Sequence, residues 1–151
     1  MSDFTLDRLT LPDMDAAARI MRTAFDERLP WLAGLHTPGE DRGYFRDLLF
    51  VRCQIWGAIA PRGLVGIIAF RKDWIDQLYI LPESQARGAG GALLDIAKST
   101  FDYLQLWTFQ KNAGARRFYE RRGFLKVEET DGSRNEEREP DVRYEWRRRS
   151  G

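Results

Sequence analysis

Between the apolar stretch "LYIL" (residues 78–81) and an amphipathic run that resumes at Leu93 stands the segment Gln85-x-x-Gly88-x-Gly90-Gly91. Adjacent glycines are costly inside a helix, roughly 1 kcal/mol each relative to alanine. Here they mark the place where a strand hands over to a helix. The first N–H groups of a helix lack internal partners, and the aligned peptide dipoles put about half a positive charge beside them. With only Gly and Ala around them, those amides stay uncovered, and a phosphate could accept several main-chain hydrogen bonds. The same glycines would also let a helix pack tightly on a strand, and spacing alone leaves both readings standing. Two better-known phosphate loops are excluded. A Walker loop needs Lys and Ser or Thr after its last glycine, but Ala92-Leu93 follow Gly91. A dinucleotide fingerprint counted from Gly88 needs a small residue at position 93, which is leucine, and an acidic ribose contact that is missing.

Periodicity orders the rest of the chain. Thr5 to Leu11 reads as a strand, and Pro12-Asp13 then opens a helix carrying Met14, Ala17, Met21 and Phe25. After the loop "RLPWLAGLHTPGED", Phe45, Leu48 and Leu49 mark a second, shorter helix. "CQIWGAIA" and "LVGIIAFR", joined at Pro61-Arg62-Gly63, form a hairpin, and "WIDQLYIL" extends the meander. The glycine segment opens a helix and "LQLWTF" is a strand. Asn112 caps the next helix, with Gly123 as its left-handed exit. "LKVEE" and "VRYEWR" are the last strands, flanking a long polar hairpin loop, "TDGSRNEEREPD". The order is βααβββαβαββ, a mixed α/β (α+β) fold.

With 151 residues, 43% of them hydrophobic, the chain has core for one domain, assigned as 1–151. Lys and Arg number 24 against 23 Asp and Glu, so no global field favours nucleic acid or an anionic membrane surface. No apolar run approaches the roughly 20 residues that span a bilayer. "MSDFTLDRLT" lacks the layout of a signal peptide, so the cytoplasm is the expected compartment. The single cysteine, Cys53, rules out an internal disulfide or a cysteine-rich zinc site. Its alternation with Ile55 favours packing over nucleophilic work.

Gln85-x-x-Gly88-x-Gly90 after "LYILPE" resembles the acetyl-CoA pyrophosphate loop of the GNAT N-acetyltransferase superfamily, and "NAGARRFYERRGF" (residues 112–124) is similar to its second signature. Together with the element order they cover most of the chain. The resemblance implies a mixed sheet splayed between "WIDQLYIL" and "LQLWTF", with acetyl-CoA in the gap and CoA as product. It implies that main-chain groups of Leu78, Tyr79 and Ile80 pair with the pantetheine arm. Gln85 opens the loop, and amides across Ala86, Arg87, Gly88, Ala89, Gly90 and Gly91 would hold the pyrophosphate. Asn112, besides its capping role, would help place the pantetheine. Tyr119, which also fits an apolar helical stripe with Ala115 and Phe118, would donate to the leaving sulfur, and the Ile80 N–H would polarise the thioester.

The acceptor is expected to be a primary amine of a small molecule or peptide. An amine near pKa 10 must first lose a proton, and a carboxylate or histidine acting through water would suffice. Asp76 is the first candidate, because it shares even spacing with Leu78 and Ile80, where a carboxylate facing a packed layer is costly. His36, the one histidine, is the second; it lies in the loop that borders the acceptor pocket in this family. Trp31, Trp74 and Trp107 could line an apolar pocket. Glu136 and Glu137, with Glu139 and Asp141, could draw a cationic amine, or could simply be a solvated hairpin. No metal site is expected; the partners considered are the amine substrate and a second copy in a homodimer. The competing reading is a non-catalytic acyl-CoA sensor, for which a retained thiol donor at Tyr119 would be superfluous.

Overall fold

The computed structural model describes residues 3–149; Met1 and Ser2, and the Ser150 and Gly151 of the "RRRSG" tail, lie outside it. Strand β3 (Gly63–Arg71) sits at the heart of the sheet, and its alternation divides the core in two. Ile68 and Phe70 face one layer with Leu93, Leu94, Tyr119 and Phe124. Ile67 and Ala69 face the other with Met14, Ala17, Met21, Phe45 and Leu49. Side chains alternate across a strand, so a run that is apolar at every position is buried on both faces.

β1 (Thr5–Arg8), β2 (Gln54–Ala60), β3 and β4 (Asp73–Ile80) are antiparallel neighbours in that order. β5 (Tyr103–Phe109) joins β4 in parallel, and β7 (Asp141–Arg147) and β6 (Leu125–Glu129) follow in the order β5-β7-β6. The β4–β5 pairing consists of Asp73 with Leu104 and Trp74 with Gln105. Beyond those two rungs the strands part, which produces the splayed sheet that the resemblance implied. Helix α1 (Met14–Arg28) covers one face; α4 (Ala89–Thr100) and α5 (Ala113–Glu120) lie with the other layer.

The element order agrees with the sequence reading, with differences that have local causes. β1 stops at Arg8, because Thr10 N–H and its hydroxyl bond the Asp13 carboxylate (2.8 and 3.1 Å) in a turn through Pro12, which has no N–H for a ladder. The second helix starts at Pro38, earlier than its apolar positions suggested. Thr37 and Glu40 close a capping box there, each bonding the other's main-chain N–H. α2 (Pro38–Gly43) passes through a π-helical stretch, Tyr44–Leu49, into α3 (Phe50–Arg52). Arg22 of α1 forks onto Asp41 of α2 (2.8 and 2.9 Å), and this pairing holds the guanidinium firmly charged while anchoring the two helices. Gly123 has φ +90°, the left-handed exit expected of it, and Asn112 accepts the Ala115 N–H at 3.2 Å.

One departure bears on the site. Ala69 of β3 pairs with Gln77 and Phe70 with Ile75, so Asp76 is the extra residue of a β-bulge. The even spacing that grouped Asp76 with Leu78 and Ile80 is therefore broken. Asp76 points instead toward Cys53, on the α1/α2 side of the sheet, where Gln77 meets the Tyr44 hydroxyl.

Candidate functional site

The gap between β4 and β5 opens into a cleft of about 390 Å³, within the usual range for ligand pockets. Its walls come from Leu78, Tyr79 and Ile80 on β4, Leu106 to Phe109 on β5, and Asn112, Phe118 and Tyr119 around α5. Leu81 donates its N–H to Val65 of β3 (2.8 Å). Because successive peptide groups alternate in direction along a strand, Leu78 and Ile80 turn their N–H and C=O toward the cleft and Tyr79 turns its own toward β3. Gln85 agrees with that direction: its amide reaches the Ile80 carbonyl at 3.0 Å. The expectation that Tyr79 offers its main chain is thus corrected. What Tyr79 presents to the cleft is its side chain.

At one end of the cleft is the glycine loop. A 3₁₀ turn (Pro82–Ser84) leads to Gln85, then Ala86 at φ +64° and Gly88 at φ +90°, the N-cap of α4. A non-glycine residue in the left-handed region costs roughly 1–2 kcal/mol. Among the described residues, the N–H groups of Ala86, Arg87 and Gly88 have no main-chain acceptor. Those of Ala89, Gly90 and Gly91 belong to the first helical turn and have none within it. Six consecutive main-chain donors at this end of the cleft are therefore without a main-chain acceptor, which is what an anion would need. The residues of the loop differ from one another: Ala86, Gly88, Gly90 and Gly91 line the cleft, Ala89 is buried as the first residue of α4, and Arg87 faces out toward Asp3 at 4.0 Å. A β-carbon on Gly90 would stand 3.1 Å from Phe118 Cε1, so close packing and an open loop are both met by the same residue.

Tyr119 is buried, its ring packed edge-on against Phe118 and Phe124 with centroids 5.2 and 5.4 Å apart. It lines the cleft and has no hydrogen-bond partner among the described residues. Burial, with Tyr79 nearby, raises its pKa, so the phenol stays protonated through the neutral range.

A second cavity of about 530 Å³ adjoins the first, and the two share Phe25, Asp76, Gln77, Tyr79, Trp107, Thr108 and Phe109 as common wall. It is acidic. Glu40, Asp76, Glu136, Glu137 and Asp141 line it, along with Asp41, which Arg22 neutralises. His36 stands in it with Nε2 3.1 Å from Glu136 and Nδ1 3.8 Å from Glu40. Asp76 is already engaged: Arg71 donates from Nε (2.8 Å) and Nη2 (3.2 Å), the Cys53 thiol donates at 3.2 Å, and Arg52 lies at 3.6 Å. Against expectation, Trp31 and Trp74 line neither cavity. Trp31 bonds Glu139 (2.8 Å) beneath Lys111, and Trp74 packs against the Arg71 guanidinium. Trp107 does line both. The sequence reading missed Arg28, Arg122 and Tyr44, which long side chains or a helix turn bring in from distant segments.

Cys53 is packed rather than reactive, as its spacing suggested. Burial and the bond to Asp76 push its thiol up to about 12. Alkylation at pH 8 should be slower than for a free cysteine by about a hundredfold or more, because the thiolate is the reactive form. Parity with glutathione in a timed thiol assay would contradict that placement.

The model of the GNAT acetyltransferase domain matches residues 51–126. Peptidyl-lysine N-acetyltransferase YiaC of Escherichia coli K12 is 28% identical over 84 residues, 55% of this chain and 58% of that enzyme's length. The chain thus spans little more than half of that relative. Among solved structures, apo YjaB of E. coli superposes with a TM-score of 0.77 at 19% identity, covering 95% of this chain and 97% of that one. The PaiA N-acetyltransferase of Thermoplasma acidophilum, solved with coenzyme A, gives 0.72 at 22% identity, covering 97% and 99%. These likenesses establish a shared fold.

Proposed function

The chain belongs to the GNAT acetyltransferase family, and from that premise we propose that it moves an acetyl group from acetyl-CoA, the family's donor, to the primary amine of a small molecule or peptide. The observation that carries this reading is the pair of joined cavities of opposite character: six amide donors at the far end of one, and around the other the carboxylates of Glu40, Glu136, Glu137 and Asp141, none of them paired with an arginine among the described residues. A phosphate-bearing thioester suits the first and a cationic amine the second. Their shared wall is where the reacting atoms would meet.

In this reading the pyrophosphate rests on the amides of residues 86–91, and the pantetheine runs along Leu78 and Ile80 as an added strand. The Ile80 N–H points into the cleft and polarises the thioester carbonyl. The neutral amine nitrogen forms a bond to the carbonyl carbon, the C–S bond breaks, and the electron pair leaves on sulfur. Tyr119 stabilises that thiolate. A phenol with a raised pKa is a weaker acid than a thiol near 8.5, so it acts as a hydrogen-bond donor rather than giving up its proton outright. Asp76 has donors on both oxygens, and its charge is answered by Arg71 and Arg52, so it is not the group that takes the amine's proton. The amine's proton passes through water to His36, whose ring sits in the acceptor cavity.

A lysine-bearing peptide is the first acceptor to try, given the peptidyl-lysine activity of the relative. Release of free thiol from acetyl-CoA in its presence tests the function, and a protein that binds CoA but releases no thiol with any amine would be the sensor instead. Charge reversal at Glu136 and Glu137 is expected to raise the acceptor KM about tenfold and leave the acetyl-CoA KM nearly unchanged. The opposite split would place the hairpin loop at the donor side.

A further inference from the structure

The glycine-loop cleft holds two guanidinium groups, and they are held differently. Arg122 is tied down: Nη1 donates to the Phe118 carbonyl at 3.1 Å and the group lies 3.9 Å over the Phe118 ring. Arg28, at the C-terminal end of α1, reaches into the cleft from the opposite wall. Its Nη2 donates to Gln85 Oε1 at the start of the loop, and its Nη1 fills the space over Gly114 where a β-carbon would collide with it. Gln85 is a neutral partner. The carboxylate nearest Arg28 is its chain neighbour Glu27, 3.4 Å away and half exposed. The arginine that lines the other cavity, Arg22, is answered by Asp41, and Arg71 is answered by Asp76. A guanidinium drawn over a cleft toward an amide, beside six unpartnered N–H groups, is positioned for an anion that arrives with the ligand.

We propose that Arg28 is a phosphate-binding residue for the donor, closing the anion site on the side facing the glycine loop. This rests on the acetyl-CoA reading above. Main-chain amides carry no net charge, whereas the nucleotide end of CoA brings several negative charges. Arg28 supplies a full positive charge where the loop supplies dipoles. Gly114 belongs to the same device, since the bare position at the second residue of α5 gives the guanidinium its seat.

Calorimetric titration with CoA and with pantetheine, which lacks the phosphates, tests this in the parent, Arg28→Met and Gly114→Ala. Arg28→Met should weaken CoA by about ten- to a hundredfold, make its affinity less sensitive to salt, and leave pantetheine unchanged. Gly114→Ala favours the helix by roughly 1 kcal/mol on propensity, yet should weaken CoA by displacing Arg28, and the double variant should be no weaker than Arg28→Met alone. Arg28→Met binding CoA as tightly as the parent, or losing CoA and pantetheine equally, would overturn the proposal. A parent protein that binds no CoA would instead sink the donor reading itself.

Discussion

Replacing Tyr119 with phenylalanine is expected to lower kcat by about 10²–10³-fold, the usual effect of losing one positioned hydrogen-bond donor to a developing negative charge. The structure separates this loss from any effect on folding. The ring is what packs against Phe118 and Phe124, and phenylalanine keeps the ring. The hydroxyl has no hydrogen-bond partner among the described residues, so its removal strands no donor or acceptor in the core. The melting temperature and the affinity for CoA should therefore hold while turnover falls. The pH profile offers a second check. Because burial raises the phenol's pKa, no alkaline loss of rate from its ionisation should appear below about pH 10. Nearly full turnover in Tyr119→Phe, measured where chemistry limits the rate, would make Tyr119 a core residue and leave water to meet the thiolate.

Gly90→Val is expected to cost the protein its CoA binding, by about a hundredfold or more, the worth of two charge-assisted hydrogen bonds at roughly 1.5 kcal/mol each. A β-carbon here meets Phe118 at 3.1 and 3.3 Å and Ile80 Cγ1 at 3.7 Å. All three residues line the cleft, and valine's methyl groups would have to push the Phe118 ring or lift the start of α4 away from β4. Either movement misaligns the amides. Overpacking of this kind typically costs 1–3 kcal/mol of stability, so Gly90→Ala serves as the milder member of the series and should fall between parent and valine. Parent-like CoA affinity in a folded Gly90→Val would mean that the loop does not hold the phosphates.

The strands, their order and the second signature helix were readable because each is fixed by local pattern. Alternation in Val142, Tyr144 and Trp146 marks β7, and the Asn112 cap and Gly123 exit bound the helical turn between them. The glycine loop was readable because few other local demands place three glycines at a strand-to-helix junction. The side of the sheet that Asp76 faces was not, since a bulge is set by how β4 registers against β3, and nothing in "WIDQLYIL" alone reveals a skipped residue. Arg28 was missed for a different reason. On α1 it looks like any basic residue near a helix C-terminus, where it would favour the dipole, and its meaning comes from Gln85 and Gly114, far away in sequence. The same holds for Trp31, whose indole is claimed by Glu139 of the hairpin loop rather than by a cavity.

The parting of β4 and β5 after two rungs places two ladder edges in the middle of a sheet rather than at its rim. Edges of this kind ordinarily sit outside, where another chain's strand can add to them and start an aggregate. Here the walls of the cleft, Phe118 and Tyr119 on one side and Phe25 on the other, narrow the approach to those edges. On the acetyl-CoA reading the donor's amide-bearing arm would lie along those edges in the place of a strand, so the donor and a strand of another copy would compete for the same main-chain groups.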